Sequence, residues 1–355
     1  MVNVLGEKRG QAVYGAVRPG LTTLATTTGS GRGLVDWNGT LIAMYGTTAY
    51  ASFTLGTGFT DKVLPSSANW GAIAWNGTVF ATAATGTTAA SSTDGTTWTA
   101  RTITSSNSYS DMAWGAGVFC AVSQLVTTGA TSPDGITWTG QTLPSSGNLG
   151  ISFGNSVFCA VGGSSVKTSP DGATWTARSF GGAGMSSVLD IAWNGSVFCV
   201  ISNLNPPGAT SSDGITWTAQ FFGGGIIPWS SIASDGSRFV AVATDGSYGV
   251  STDNGVNWTI GTVSGSPFLS RVEWAGTIFI ATSNGSATSY MSSDGLSWTT
   301  LTMPASASWG RIASNGSVAC TPRTLSAIME TLDLGGLRSI GTVSGQFFDF
   351  TQSTT

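Results

Sequence analysis

Six near-copies of one short phrase punctuate the chain: SSTDGTTW ending at Trp98, SPDGITW at Trp138, SPDGATW at Trp175, SSDGITW at Trp217, STDNGVNW at Trp258 and SSDGLSW at Trp298. Their aspartates, Asp94, Asp134, Asp171, Asp213, Asp253 and Asp294, follow one another at gaps of 40, 37, 42, 40 and 41 residues. Such a chain stacks one supersecondary unit after another, and a period of about 40 residues belongs to propeller blades rather than helical solenoids.

A second phrase alternates with the first, beginning at Trp37, Trp75, Trp114, Phe153, Trp193, Ser234, Trp274 and Ser314, in forms such as WNGTVF and WNGSVF. Asn-Gly between apolar runs predicts a tight hairpin, a type I′ turn with both central residues at positive φ. Each repeat then reads as four strands: a hairpin, a variable stretch, a Ser/Thr-rich strand, the Asp-Gly turn, and a last strand opening on Trp-Thr. Two weaker strings, ASFTLGTGFT from Ala51 and METLDLGGLR from Met329, continue the frame as decayed aspartate turns. The expectation is an all-β propeller of four-stranded antiparallel blades, eight favoured and seven the alternative. It spans residues 31–342, between an N-terminal segment 1–30, docking or ring-closing, and a tail 343–355.

Only 8% of the 355 residues are charged, with a net charge of −4. The surface is therefore built largely of Ser, Thr, Asn and Gly. Without a basic stripe no nucleic-acid groove is expected, and without a long apolar run no membrane insertion. The opening MVNVLGEKRG lacks the apolar core of a signal peptide. Cys120, Cys159, Cys199 and Cys320 occupy one equivalent site in four repeats, where others carry Ala43, Ala81, Val240 and Ile280. They read as free thiols in the core. With no histidine in the chain and no CxxC, no metal and no cofactor is expected.

The aspartate phrase resembles the Asp-box of sialidase-type β-propellers, S-x-D-x-G-x-x-W. Ser251 to Trp258 fits that form in full, and the other five copies drop one residue. The resemblance implies the propeller fold; Asp-boxes occur in enzymes and non-enzymes alike. The six aspartates read as structural: a turn carboxylate accepts neighbouring backbone N–H groups, whereas calcium wants six to eight oxygens. A sialidase would further need an Arg-Ile-Pro segment, an arginine triad and a Tyr/Glu nucleophile pair. This chain has no such segment and only three glutamates, Glu7, Glu273 and Glu330. No catalytic residue is assigned.

If both kinds of turn close one end of every blade, the variable loops gather at the other. Loops on a rigid scaffold tend to carry binding residues, so a ligand is expected on that variable face. Counting along the first strands places Asp111, Asp190, Arg271 and Arg311 at one level, Glu273 nearer the hairpins, and Trp70, Tyr109, Trp229 and Trp309 toward the loops. These nine residues are the candidate binding set. The four rings either form a saccharide or peptide platform or pack between blades.

Phrases such as TSPDGITWT, in a Ser/Thr/Gly-rich chain with few charges, resemble bacteriophage virion proteins. The resemblance implies a non-catalytic tail, baseplate or fibre component, partnered by other virion proteins and by a host-surface glycan or receptor. Alternatives are an intracellular bacterial interaction scaffold and a glycosidase.

Overall fold

The computed structural model describes residues 59–223 and 225–334, and the strands Gly31–Trp37, Thr40–Tyr45, Thr48–Phe53 and Gly336–Thr342. The segments 1–30 and 343–355 lie outside the described residues. The chain divides into two compact units, one of residues 57–333 and one of residues 1–56 with 334–355.

The larger unit is a propeller of seven four-stranded antiparallel sheets. Blades 1 to 6 occupy residues 70–107, 109–142, 150–179, 188–220, 229–262 and 269–307, each running inner to outer strand in chain order. Blade 7 is composite: Ala313–Ser314, Val318–Pro322 and Ser326–Asp333 are completed by Thr60–Ala68 from the front of the unit. That strand closes the ring. Thr60 and Thr331 are 3.1 Å apart at their hydroxyls. Arg323 spans the same seam, pairing with Asp61 at 3.1 Å and with the buried carboxylate of Glu330.

Seven blades, rather than the favoured eight, follow from what happens to the two decayed phrases. The hairpin phrase at Trp37 belongs to the smaller unit, a separate four-stranded sheet in which Gly31–Trp37, Thr40–Tyr45 and Thr48–Phe53 are completed by Gly336–Thr342. ASFTLGTGFT was expected to turn one strand back on its neighbour. Instead Thr48–Phe53 stays in the smaller unit while Thr60–Ala68 pairs with Ser326–Asp333. METLDLGGLR likewise leads from the larger unit to the smaller. Neither string keeps the serine and aspartate together: ASFTLGTGFT has Leu55 at the aspartate position, and METLDLGGLR keeps Asp333 but has Thr331 where the other copies have serine. Leu55 itself is outside the described residues.

The second strand of each blade is buried along its length apart from a partly exposed valine at the start of three of them, as in Phe80–Ala84 and Phe239–Ala243, because neighbouring blades cover both faces. That explains its unbroken apolar reading. Phe80, Phe119, Phe158, Phe198, Phe239 and Phe279 at its start have no exposed surface. Five of them meet the ring that opens the hairpin phrase, with centroids 4.4–4.8 Å apart. Outer strands such as Thr139–Thr142 are mostly exposed.

The cysteine site shows how one blade seats on the next. All four thiols are free and buried. Each lies against the turn glycine of the following blade: a Cβ on Gly172 would come within 3.3 Å of Cys120 Sγ, and one on Gly95 within 2.7 Å of Cys320 Sγ. The Cys320 contact joins blade 7 to blade 1. Only a small or thin side chain fits beneath that turn.

Candidate functional site

The aspartate turns are self-contained. In blade 1 the Ser92 hydroxyl donates to Asp94 Oδ1 at 2.9 Å, and the same oxygen accepts the Thr96 and Thr97 N–H groups, both at 2.8 Å. The Gly95 N–H donates to Ser92 Oγ at 2.9 Å, and Trp98 Nε1 returns to the Gly95 carbonyl at 3.0 Å. Asp134, Asp171, Asp213, Asp253 and Asp294 repeat the serine contact and accept at least one following N–H. The Thr174 N–H holds the Asp171 carboxyl below its ordinary range, and that of Asn257 does the same for Asp253. These turn bonds converge on Oδ1; Asp171 and Asp253 also accept at Oδ2, from the Thr174 hydroxyl and the Asn257 amide. Among the described residues no group of three or more His, Cys, Asp or Glu is placed to hold a metal ion.

The hairpin turns are of two kinds. The type I′ turn expected at Asn-Gly, with positive φ at both central residues, occurs instead at Ala116–Gly117 and Asn155–Ser156. At the Asn-Gly sites of blades 1, 4 and 7 only Gly77, Gly195 and Gly316 have it. There the asparagine side chain closes the loop instead: Asn76 Oδ1 accepts the Thr78 and Val79 N–H groups at 2.9 and 2.7 Å. The amide works as the carboxylate does in the other turns.

At the ring axis the first strands bring five of the nine candidates together. Arg311, 3% exposed at its side chain, pairs with Asp190 at 2.7 Å and Asp111 at 3.0 Å, with Glu273 farther off at 3.9 Å. Both aspartates also accept backbone N–H groups, Asp111 from Met112 and Ile151 and Asp190 from Ile191 and Ile232. Burial opposes the ionised form of Asp190, but the bidentate Arg311 contact outweighs it and lowers the pKa. Burial pushes Asp111 up to about 6. These groups plug the channel with a two-carboxylate, one-guanidinium knot.

Two cavities of about 300 Å3 flank the plug. The one toward the hairpins is ringed by Trp75, Trp114, Phe153, Trp193 and Trp274, and Glu273 enters it. The Glu273 side chain is 32% exposed and lines this cavity. Burial, with the Asp190 and Asp111 charges adding to it, raises its carboxyl to about 8. The other cavity opens toward the variable loops. Asn203, Thr244 and Asn284 come from loops between second and third strands, and Pro228 and Phe268 from segments leading into first strands. Arg271 faces it from beside the plug.

The four candidate rings are not an open platform. Trp70, Tyr109, Trp229 and Trp309 are 0–4% exposed. Trp70 Nε1 donates to Ser66 O, Tyr109 OH to Ser105 O and Trp309 Nε1 to Ser283 O; Trp229 meets Phe222 edge-on. Trp70, Tyr109 and Trp229 open their strands at the loop side, yet all four rings are buried. Trp229 and Trp309 still contribute to the wall of the loop-side cavity. Asn203, Thr244, Phe268 and Asn284 fall in the variable loops where a ligand was expected, but none was singled out, because loops of unlike length and composition stand out against no repeat.

Fold and site together define a seven-bladed propeller with a plugged axis and a loop-lined cavity. No protein-family model matches the chain, and no curated protein matches it in sequence. Among solved structures it is similar to virginiamycin B lyase from Staphylococcus aureus, at 12% identity and TM-score 0.68, covering 78% of this chain and 99% of the lyase. It is also similar to YCF48 from Cyanidioschyzon merolae, at 15% identity and TM-score 0.60, covering 78% and 98%. YCF48 bound to D1 peptide matches at 16% identity and TM-score 0.61, covering 77% and 96%. At such identities the likeness bears on the fold alone.

Proposed function

We propose that this chain is a non-catalytic binding and structural protein of a bacteriophage virion, in a tail, baseplate or fibre, and that its variable-loop face meets a host-surface glycan or receptor. The carrying observation is the concentration of irregular sequence at one end of an otherwise repetitive scaffold, where it lines a cavity. The Asp-box resemblance, the Ser/Thr/Gly-rich surface and the scarcity of charge support the virion setting.

Catalysis finds little to work with. A carboxylate pair for glycoside cleavage is hard to assemble when Glu330 is tied to Arg323 in the ring seam and Asp111 and Asp190 are tied to Arg311. A lyase reading is suggested by the structural neighbour. A histidine-to-alanine variant of that enzyme is described as catalytically inactive, and this chain has no histidine. The neighbour bound to a peptide favours a binding role for the scaffold.

Purified particles carry the test. An antibody to the protein should label virions, and deletion of residues 2–20 should leave a folded ring that no longer joins them. Labelling confined to the cytoplasm would favour an intracellular scaffold. Turnover of glycosides or streptogramins by the purified protein would overturn the non-catalytic reading.

A further inference from the structure

Six arginines have described side chains, and five are engaged. Arg101 and Arg178 donate to Ser91 and Thr168, Arg238 pairs with Asp235, and Arg311 and Arg323 hold the ion pairs above. Arg271 alone, among the described residues, has neither a carboxylate at ion-pair distance nor a hydrogen-bond acceptor. The aspartates that could have served it, Asp111 and Asp190, are occupied by Arg311 and backbone N–H groups. A half-buried guanidinium with its donor fork unspent lines the loop-side cavity.

The walls match it in kind. Asn203 Oδ1 accepts the Ser187 hydroxyl at 2.6 Å, and Asn284 Oδ1 accepts the Trp309 N–H at 3.0 Å. With both amide oxygens engaged, the amino groups are left as donors. The hydroxyls of Ser230 and Ser270 give their protons to main-chain carbonyls, Leu269 O at 2.8 Å and Thr282 O at 3.1 Å. The cavity thus holds one fixed cation, two amide donors and no carboxylate on its wall. Phe268, 52% exposed, adds an apolar face. About 300 Å3 is at the lower end of ligand pockets, the size for a single sugar ring.

The geometry points to a site for a carboxylate-bearing sugar, a hexuronate residue of a surface polysaccharide, with Arg271 gripping the carboxylate. Two parallel N–H···O bonds from a guanidinium suit a planar carboxylate. The amide donors of Asn203 and Asn284 take ring hydroxyls, and Phe268 covers the sugar's C–H face. This assignment rests on the reading that the variable face meets a glycan.

A panel of oligosaccharides ending in glucuronate, in glucose and in 6-sulfoglucose, titrated into the full-length protein by calorimetry, tests it. Glucuronate should bind, glucose at least about tenfold more weakly, and Arg271→Gln should lose at least about tenfold in glucuronate affinity with an unchanged thermal midpoint. Asn284→Asp, which keeps the acceptor for Trp309 and places a like charge in the cavity, should lose it too. Equal affinity for glucose, equal affinity for the sulfated sugar, or a wild-type response in Arg271→Gln would overturn the uronate assignment while leaving glycan binding intact. If no glycan binds, both this site and the glycan reading fail.

Discussion

At the residue scale, the aspartate turn and the Arg311 knot show an exposed and a buried use of carboxylate acceptors, with opposite consequences. In the turn, the N–H groups that Asp171 receives belong to exposed residues, so water can replace the carboxylate. Asp171→Ala should cost about 1 kcal/mol, read as a small drop in urea midpoint at unchanged slope. The turn carboxyls have lowered folded pKa values, so what they contribute is present above the unfolded value near 4 and is lost as pH falls below it. Glu273 runs the other way. Its folded pKa of about 8 means the native state holds a proton the unfolded chain has released, so its stabilising effect declines between about pH 4.5 and 8. Glu273→Gln should flatten that decline in a series of denaturation midpoints. At Arg311 no water stands in: Arg311→Met leaves Asp111 and Asp190 buried without their cation, a loss of about 3–5 kcal/mol. That loss should shrink as pH is lowered from 8 to 5 and the stranded carboxyls take up protons. A loss independent of pH would place the role of Arg311 in packing. The turns were legible in sequence because they recur six times. The knot was legible only as a shared level on the first strands, since nothing in spacing says which cation takes which carboxylate.

At the element scale, each blade is specified by its own hairpins until the hairpin chemistry fails. Where Ser-x-Asp is followed by its turn glycine, directly or after one residue as at Asn254, third and fourth strands are neighbours; where that phrase has decayed, the outer strand pairs elsewhere. Thr60–Ala68 then becomes the fastening of blade 7. The first strand of that blade is only Ala313–Ser314, and Ala319 replaces the phenylalanine found in the other six. The closing strand therefore carries unusual weight. Leu64, 1% exposed within it, packs beside Trp70, Phe80 and Met329. Leu64→Ala should cost about 2–4 kcal/mol and lower the midpoint more than removal of the exposed Val63 side chain next to it. Equal effects would mean the strand is not packed into the ring. Counting phrases gave eight blades because phrase counting assumes each strand stays with its predecessor. Pairing partners are long-range, and the sequence marks them only by the loss of the local turn.

At the scale of the whole molecule, the repeat builds a rigid ring and gathers what does not repeat at one end. Blades are interchangeable at their turn end, where Gly95 seats on Cys320 just as Gly172 seats on Cys120. They differ at the loop end, where Asn203, Thr244, Phe268, Asn284 and Arg271 meet. Fold class was open to reading because forty-residue periodicity and turn chemistry agree with each other. The cavity was not, because its residues come from loops of three successive blades, 4, 5 and 6, and meet only when those blades stack. An experimental density map of the full-length protein, resolved well enough to trace strands, is the most direct check. Seven sheets around the axis should appear, with Thr60–Ala68 hydrogen-bonded to Ser326–Asp333. Eight sheets, or Thr60–Ala68 folded back on Thr48–Phe53, would contradict this account.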